Sequence, residues 1–265
     1  SSIKGILFNL NSSIITKHSI NHQMNIQNNY YATMEAKTFY ESLFNIMTFM
    51  SEYTKENHIE LSAIALTSQR SSVLPINYQG EPLSPIIMWY DKRSTDICDH
   101  INSNFEDKLY NICGMKLSPL CSAPKMLWIK RHEPQIYQDA YKLVGIHDYL
   151  LYLLTGKFVT DASCASRTCL MDIQKSEWSD DLIELFDLDK EKLCDIYAPG
   201  SIIGNLTTQV ANRFSLPNNI PVISSGGDQQ CSILGQGVYQ QGNIGITSGT
   251  GCYVTGPIKT PITDS

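Results

Sequence analysis

Apolar residues along this chain follow two different spacings. From residue 34 to residue 53 they recur every three or four positions. Phe39, Leu43 and Ile46 illustrate this period, which is typical of one face of an α-helix. Shorter continuous apolar runs, such as residues 3–10, are bounded by turn residues and predict strands. The chain therefore contains both element types from its start.

The same rules predict the remaining elements. Residues 20–32 are rich in Asn and Gln and lack apolar periodicity, which predicts a loop. The predicted strands are residues 3–10, 14–17, 59–67, 72–77, 143–146, 220–224 and 243–247, and the predicted helices are residues 34–53, 91–105, 123–131, 147–155, 180–186 and 229–234. Because strands and helices alternate, we expect an α/β domain with a mixed sheet flanked by helices.

Composition narrows the class of protein. The 265 residues are 42% hydrophobic and carry a formal net charge of -6, without a dense Lys/Arg run, so a general nucleic-acid surface is not expected. The apolar runs are shorter than the roughly 18 residues that a membrane helix needs. The first residues lack the pattern of a signal peptide. We therefore expect a cytoplasmic protein without a membrane partner.

Cysteine and histidine spacing indicates no metal site. The eight cysteines are scattered without a C-x-x-C pair, which predicts reduced core thiols rather than a disulfide framework. The six histidines form no H-E-x-x-H motif, and Cys98 and His100 are best explained as chance neighbours on a helix.

Two predicted strands near the C-terminus end in glycine-rich turns. Residues 220–224 run into GGD, which ends at Asp228, and residues 243–247 run into SGTG, residues 248–251. Glycine lets the backbone approach a ligand closely, and a strand end presents a side chain or main-chain N–H groups to it. The first turn offers a carboxylate and the second offers donors without a Lys. The pair suggests a general base beside a phosphate-binding turn.

Each turn also has a simpler interpretation. Asp228 could be an ordinary N-cap of the helix predicted over residues 229–234. The Gly-Thr-Gly sequence would equally suit a type I′ or II′ hairpin turn. The local sequence alone leaves these alternatives evenly matched. No Walker A loop and no G-x-G-x-x-G dinucleotide motif occurs in the chain.

Five sequence blocks, taken in order, resemble one known family. They are SSIKGILFNLNSS at the start, IALTSQRSSVLPINYQGEPLSPIIMWYDKRS at 64–94, LSPLCSAPKMLWIKRHEP at 117–134, DYLLYLLTGKFVTDASCASRTCLMDI at 148–173, and GGDQQCSILGQGVYQQGNIGITSGTGCY at 226–253. Together they resemble the N-terminal domain of FGGY-type carbohydrate kinases, the group that includes glycerol kinase, xylulokinase and autoinducer-2 kinase.

The resemblance implies a fold and an activity. It implies a ribonuclease H-like domain of the actin and hexokinase type, and ATP-dependent phosphorylation of a hydroxyl of a small sugar or polyol, with Mg²⁺. It also implies that residues 1–241 form the sugar-binding domain without its first phosphate-loop strand, and that residues 242–265 begin a truncated nucleotide-binding domain. We therefore expect little or no turnover from this polypeptide alone. Whether the protein forms a homo-oligomer stays open.

The resemblance also assigns roles to residues. Asp228 matches the catalytic base, and the other positions match groups that contact the sugar or the nucleotide phosphates. The sugar-contacting residues would be Gln69, Arg70, Trp89 and Gln229, and the phosphate-contacting residues Gly249, Thr250 and Gly251. Without the family match, Arg70 would be an exposed residue at a strand exit and Trp89 a core residue. Lys125, Asp91 and Arg93 also match family positions, and we interpret them first as structural.

The motifs leave the substrate open. Glycerol kinases carry a Glu where this chain has Ser71 and a Tyr where it has Leu120. Xylulokinases typically carry Met-His in place of Arg70-Ser71. The SAPKMLW block resembles autoinducer-2 kinases more closely, whereas GDQQ and MWYDKR resemble glycerol kinase. The alternative to a kinase is a catalytically inactive, truncated relative that acts as a sugar-binding or regulatory protein.

Overall fold

Strands and helices alternate along the chain in a computed structural model that describes residues 2–22, 25–27, 30–248 and 252–263. The strands are β1 (Ser2–Phe8), β2 (Ile14–Asn21), β3 (Asn25–Gln27), β4 (Tyr31–Met34), β5 (Ile64–Ser68), β6 (Leu74–Ile76), β7 (Ile86–Ile87), β8 (Lys142–Val144), β9 (Val159–Asp161), β10 (Met171–Asp172), β11 (Glu177–Trp178), β12 (Asp195–Tyr197), β13 (Ser201–Asn205), β14 (Pro221–Gly227), β15 (Gly245–Ser248) and β16 (Cys252–Thr255). The helices are α1 (Ala36–Glu56), α2 (Thr95–Cys113), α3 (Ser122–His132), α4 (Pro134–Asp139), α5 (Ile146–Thr155), α6 (Ala162–Ala165), α7 (Asp180–Leu185), α8 (Thr208–Phe214) and α9 (Asp228–Gly235). Two short 3-10 helices span Ser166–Thr168 and Lys190–Lys192. The predicted α/β class is confirmed.

A three-stranded mixed sheet, ordered β13-β14-β5, places the later site. β14 pairs parallel with β5 and antiparallel with β13. The register pairs Gly227 with Ser68, so β14 and β5 end side by side. Val222 and Ser224 of β14 are buried. Residues that directly follow the two strands must therefore emerge at one edge of the sheet.

Two hydrophobic clusters form the core, and the first of them packs on this sheet. One joins α1, α5 and α8 to β14, and the other joins α2, α3 and α7. Of the apolar positions that carry the predicted period of α1, Phe39, Leu43 and Ile46 are buried, and Phe49 is half-buried. Complete burial of one such side chain contributes about 1.5–3 kcal/mol. The helical period of the sequence thus identifies the face of α1 that packs on the core.

The hairpin at the start of the chain packs against α1. β1 and β2 pair antiparallel, as predicted, and β1 lies against the helix at Gly5. A Cβ atom added at Gly5 would lie only 2.3 Å from Cγ2 of Ile46. Glycine is therefore required there by close approach.

The predicted loop over residues 20–32 is wrong in part. The region contains the end of β2, all of β3 and the start of β4, while residues 23–24 and 28–29 lie outside the described residues. Tertiary contacts make β4 a strand: Thr33 pairs with Ile87 of β7, and Ala32 N donates to the buried carboxylate of Asp91 at 2.6 Å. These partners lie more than 50 positions away, so local polarity does not reveal them.

The strand predicted over residues 59–67 begins later than expected. It starts at Ile64, because α1 extends to Glu56 and the chain then turns through His58, which has a left-handed φ of 54°. The other predicted strands and helices are present with shifted ends.

The cysteines agree with the expectation of reduced thiols. All eight are free, and six are buried in the core; Cys231 is half-buried and Cys252 exposed. In the described part of the chain, no helix has the length and apolar character needed to cross a membrane. The division into domains at residue 241 stays a prediction.

Candidate functional site

The ends of β5 and β14 bring the predicted catalytic and substrate residues to one edge. Gln69 and Arg70 directly follow β5, and Asp228 directly follows β14. Because the two strands are parallel and in register at Ser68 and Gly227, both segments emerge together. In open α/β sheets this edge is where ligands bind.

Asp228 is the first residue of α9. The N-cap is Gly227, with φ -66° and ψ 149°, so the N-cap interpretation of Asp228 is wrong. The Asp228 side chain is exposed, and its Oδ1 accepts a hydrogen bond from Gln229 N at 2.8 Å. A carboxylate in the first turn is favoured by the helix dipole. Asp228 thus has an accessible carboxylate.

The Arg70 side chain packs directly over Gly227. A Cβ atom added at Gly227 would lie 2.4 Å from Cδ of Arg70 and 2.9 Å from its Nε. The side chain is half-buried, and its Nη1 contacts the carbonyl of Ser163 at 3.4 Å. Burial lowers the pKa of Arg70, and neighbouring Asp228 acts in the opposite direction. Arg70 is therefore not the freely exposed side chain of the simpler interpretation; it lies within electrostatic reach of Asp228.

Trp89 presents an accessible face. It is 37% exposed, whereas the preceding Met88 is 2% exposed, so the interpretation of Trp89 as a core residue is wrong. Its ring packs edge-on against Tyr90, with centroids 5.2 Å apart. An exposed aromatic face of this kind can pack on the carbon side of a sugar.

Gln69 and Gln229 flank the two charged residues. Both side chains are half-buried. Gln69 lines a cavity of about 30 Å³ together with Arg70 and Ser71. That volume corresponds to about one water molecule, so the cavity itself does not hold a sugar.

The predicted phosphate residues Gly249, Thr250 and Gly251 lie outside the described residues. The flanking strands β15 and β16 are antiparallel, and Ser248 pairs with Cys252. Since the residues that would form the turn are not among those described, the turn interpretation and the phosphate interpretation both stay open.

A buried network centred on Asp161 supports this edge, and sequence reasoning missed it. Oδ1 of Asp161 accepts hydrogen bonds from Ser163 N at 2.9 Å and Cys164 N at 3.1 Å. Oδ2 accepts from Ser224 Oγ at 2.7 Å and lies 3.2 Å from His147 Nε2. The Ser163 hydroxyl, which donates to Asp161, also accepts from Gly227 N at 2.7 Å. The network therefore ties the end of β14 to α6.

The pKa of Asp161 reflects these donors. Burial alone would raise it, but hydrogen bonds from His147, Ser163 and Ser224 together hold the pKa well below its usual range. Asp161 is therefore a permanent buried anion. The local sequence signal is the T-D-A-S segment, which starts inside β9 and resembles the N-cap of a helix.

The same region contains a group with the composition of a metal site. Ligand atoms of His147, Asp161 and Cys164 lie within 4.8 Å of one another, and all three residues are buried. Both oxygens of Asp161 already accept protein hydrogen bonds, and burial raises the pKa of Cys164 well above its usual value. A protonated thiol and an occupied carboxylate explain the group without a metal.

Asp91 and Arg93 form a buried ion pair shortly after Trp89 in the chain. Arg93 Nε lies 2.9 Å from Asp91 Oδ1, and its Nη2 donates to Oδ2 at 3.0 Å. The guanidinium carbon lies 4.7 Å from the ring centres of Tyr31 and Trp128. This is the structural role expected from the sequence.

Comparison with known proteins identifies the family. The sequence profile of the FGGY family of carbohydrate kinases, N-terminal domain, matches residues 1–235. The chain belongs to the FGGY family of carbohydrate kinases. It is 27% identical to a xylulose kinase of Lactococcus lactis over 248 residues, which cover 94% of this chain and 49% of the relative. It is 28% identical to a glycerol kinase of Thermococcus onnurineus over 257 residues, which cover 96% of this chain and 51% of the relative.

A solved FGGY kinase has the same fold. The crystal structure of Plasmodium falciparum glycerol kinase with ADP superimposes with a TM-score of 0.88 and 25% identity, covering 96% of this chain and 51% of that one. The predicted ribonuclease H-like fold, shared by this family, is confirmed. The chain spans about half the length of the curated FGGY relatives that it matches.

Proposed function

We propose that this chain carries the sugar site and catalytic base of an enzyme that phosphorylates a hydroxyl of a small sugar or polyol with ATP. One observation carries the proposal: Arg70 and Asp228 emerge from adjoining parallel strands, and Arg70 crosses Gly227 to reach the same edge. Family membership supports the reaction class. The inactive, regulatory alternative has no such observation in its favour.

In this mechanism Asp228 orients the acceptor hydroxyl and takes its proton. The hydroxyl oxygen forms the new bond to the terminal phosphorus as the bond to the ADP oxygen breaks. Most of the rate enhancement in phosphoryl transfer comes from positioning and charge neutralisation, so the base serves mainly to orient the nucleophile. Its exposed position leaves room for a hydroxyl at hydrogen-bond distance.

The neighbouring residues would bind the rest of the sugar. Arg70 provides a rigid fork of donors suited to adjacent hydroxyls. Gln69 and Gln229 each offer both a donor and an acceptor. The exposed face of Trp89 would cover the apolar side of the ligand. The relatives named for xylulose and glycerol make pentuloses and polyols the first substrates to test.

ATP with Mg²⁺ would supply the phosphoryl group. Gly249, Thr250 and Gly251 have the donor types that a phosphate requires, namely main-chain N–H groups and a hydroxyl. Ser248, at the exposed end of β15, is their immediate neighbour. Binding of ADP by the Plasmodium glycerol kinase of this fold supports a nucleotide partner. Mg²⁺ would bind mainly to the phosphate oxygens of ATP, since this ion commonly takes few protein ligands.

The substitution Asp228→Asn tests the assignment. In the 265-residue chain, or in any longer protein that contains it, we expect sugar-dependent stabilisation to persist in a thermal-shift assay. Phosphoryl transfer is measured in a longer protein that contains this chain and turns over, because little or no turnover is expected of the 265 residues alone. There it should fall at least 100-fold in a coupled ADP-release assay, the scale of general-base catalysis. Asp180→Asn is the matched control, since Asp180 is also an exposed aspartate at the first position of a helix, α7.

Two results would contradict the proposal. Turnover by Asp228→Asn close to wild type would remove Asp228 as the base. Absence of stabilisation of the wild-type chain by every pentulose and polyol, with and without Mg-ATP, would remove the sugar site. The expectation of little or no turnover by the 265 residues alone stays a prediction of the same assay.

A further inference from the structure

Lys125 in α3 is completely buried, at 0% exposure, and has an unusual set of partners. Its ammonium group donates to four main-chain carbonyl oxygens: Ser71 at 3.0 Å, and Trp89, Leu120 and Cys121 at 3.2 Å each. An ammonium group has three donors, so one hydrogen must be shared. Burying such a charge is costly unless every donor is satisfied, which makes this arrangement sensitive to small displacements.

The four carbonyls belong to three separate segments. Ser71 follows Arg70 after β5, Trp89 follows β7, and Leu120 and Cys121 precede α3. One ammonium group therefore fixes the main chain beside two of the residues proposed to bind sugar. Its distance to each segment is that of a direct hydrogen bond.

The main chain at Ser71 has an unfavourable conformation, which the hydrogen bond from Lys125 stabilises. Ser71 has a φ of 69°, in the left-handed region that residues with a Cβ rarely adopt. Such conformations persist only where surrounding contacts hold them, and they cluster at functional sites. The Ser71 carbonyl accepts the shortest of the four bonds from Lys125. The turn that directs Arg70 into the site thus depends on this contact.

We infer that Lys125 is a positioning residue: through main-chain hydrogen bonds it holds Arg70-Ser71, Trp89 and Leu120 in the arrangement that binds the sugar. The inference rests on the proposed function for its ligand, but the geometry of the cluster is independent of it. Lys125 touches main-chain atoms only in this arrangement, so it is not a catalytic residue.

The first test requires no sugar. Replacing Trp128 and Trp178 with Phe leaves Trp89 as the only tryptophan. In this background Lys125→Met, which keeps the side-chain length but removes the donors, should increase acrylamide quenching of Trp89 at least twofold. Leu127→Ala is the matched control, because Leu127 lies in the same helix and is 2% exposed, and its loss destabilises the core without touching the site. The control should leave quenching unchanged.

The second test measures affinity. Using a sugar that stabilises the wild-type chain, Lys125→Met should raise the dissociation constant at least tenfold by calorimetry, while Leu127→Ala leaves it unchanged well below its melting temperature. Unchanged affinity and unchanged Trp89 quenching in Lys125→Met would overturn the inference. If no sugar binds to wild type, the proposed function fails, and the quenching test alone decides whether Lys125 holds Trp89 in place.

A second variant covers the case in which Lys125→Met does not fold. Lys125→Arg keeps the charge, but its planar fork cannot direct donors to four oxygens around a single nitrogen. We expect an affinity at least threefold weaker and a measurable change in Trp89 quenching. Wild-type values for both in a folded Lys125→Arg protein would overturn the inference.

Discussion

The contact between Arg70 and Gly227 makes a quantitative prediction. In Gly227→Ala the new Cβ would lie 2.4 Å from Cδ of Arg70, where apolar atoms normally stay about 3.5–4.0 Å apart. Arg70 must therefore move by about 1 Å or more. The backbone φ of -66° is open to alanine, so the substitution acts through this clash and not through backbone strain.

Gly227→Ala should lower the free energy of unfolding in two ways, through overpacking against Arg70 and through a poorer N-cap. Overpacking of this kind costs about 1–3 kcal/mol. Alanine is also a poorer N-cap than glycine, which costs roughly 0.5–1 kcal/mol whatever occupies position 70. Only the first cost depends on Arg70. In an Arg70→Ala background the clash with Arg70 is gone, while the N-cap cost and a 2.9 Å contact of the new Cβ with the flexible end of Gln230 remain. The coupling energy should therefore equal the overpacking cost caused by Arg70, about 1–3 kcal/mol.

Urea denaturation of the four proteins in this double-mutant cycle measures the coupling. Gly235→Ala is the control: Gly235 ends the same helix, and an added Cβ there meets no atom of the described residues within 4 Å. That change should be neutral or stabilising, since alanine is the better helix former. Equal costs of Gly227→Ala with and without Arg70 would refute the contact. Where the coupling is found, sugar affinity should fall with it, because Arg70 is displaced from the site.

Two further predictions concern buried charges. Asp161→Asn should destabilise the protein by about 3 kcal/mol in urea denaturation, because its amide would face donors that the carboxylate now accepts from. Since the folded pKa of Asp161 is lowered, its contribution is present above about pH 4 and is lost as the pH falls through the folded value, so the difference between wild type and Asp161→Asn should narrow only in acid. Burial lowers the pKa of Lys125 to about 8, so the unfolded state binds more protons between that value and about 10.4. Wild-type stability should therefore rise across this range relative to Lys125→Met, by at most about 3 kcal/mol, and a pH-independent difference would show that Lys125 keeps an ordinary pKa.

Local sequence predicted the elements whose burial is periodic or continuous. The apolar stripe of α1 predicts a helix, and the continuous apolar run of β14 predicts a strand. The glycine-rich end of β14 predicts the edge of the sheet at which the site lies. Short strands such as β4 and β7 escaped prediction because their stability comes from pairing with each other and from Asp91. A two-residue strand such as β7 carries no period from which it could be predicted.

In the candidate site, too, some residues could be predicted from the sequence and others could not. The glycine-rich end of a predicted strand drew attention to Asp228, but only the family resemblance favoured a catalytic role for it and assigned Arg70 to the site. The Asp161 network was not predicted, because Asp161 and Ser224 are 63 positions apart and become partners only through the pairing of the sheet. Buried polar groups of this type have no local signature, since their partners are defined by the fold.

The hydrogen bonds of Lys125 hold the main chain around the proposed sugar site without involving the side chains at positions 71 and 120. The Lys125 hydrogen bonds in the described structure go to main-chain oxygens, those of Ser71, Trp89, Leu120 and Cys121, so the side chains at these positions accept none of them. Replacing the side chain at position 71 or 120 would change the groups offered to a ligand without removing a partner of the ammonium group. Positions 71 and 120 are those at which this chain departs from the residues expected of glycerol kinases. A fixed main chain would thus allow different side chains at positions 71 and 120 to present different groups to a sugar. On this argument, substrate preference should respond to substitutions at 71 and 120, whereas substitution of Lys125 should weaken binding of every sugar alike.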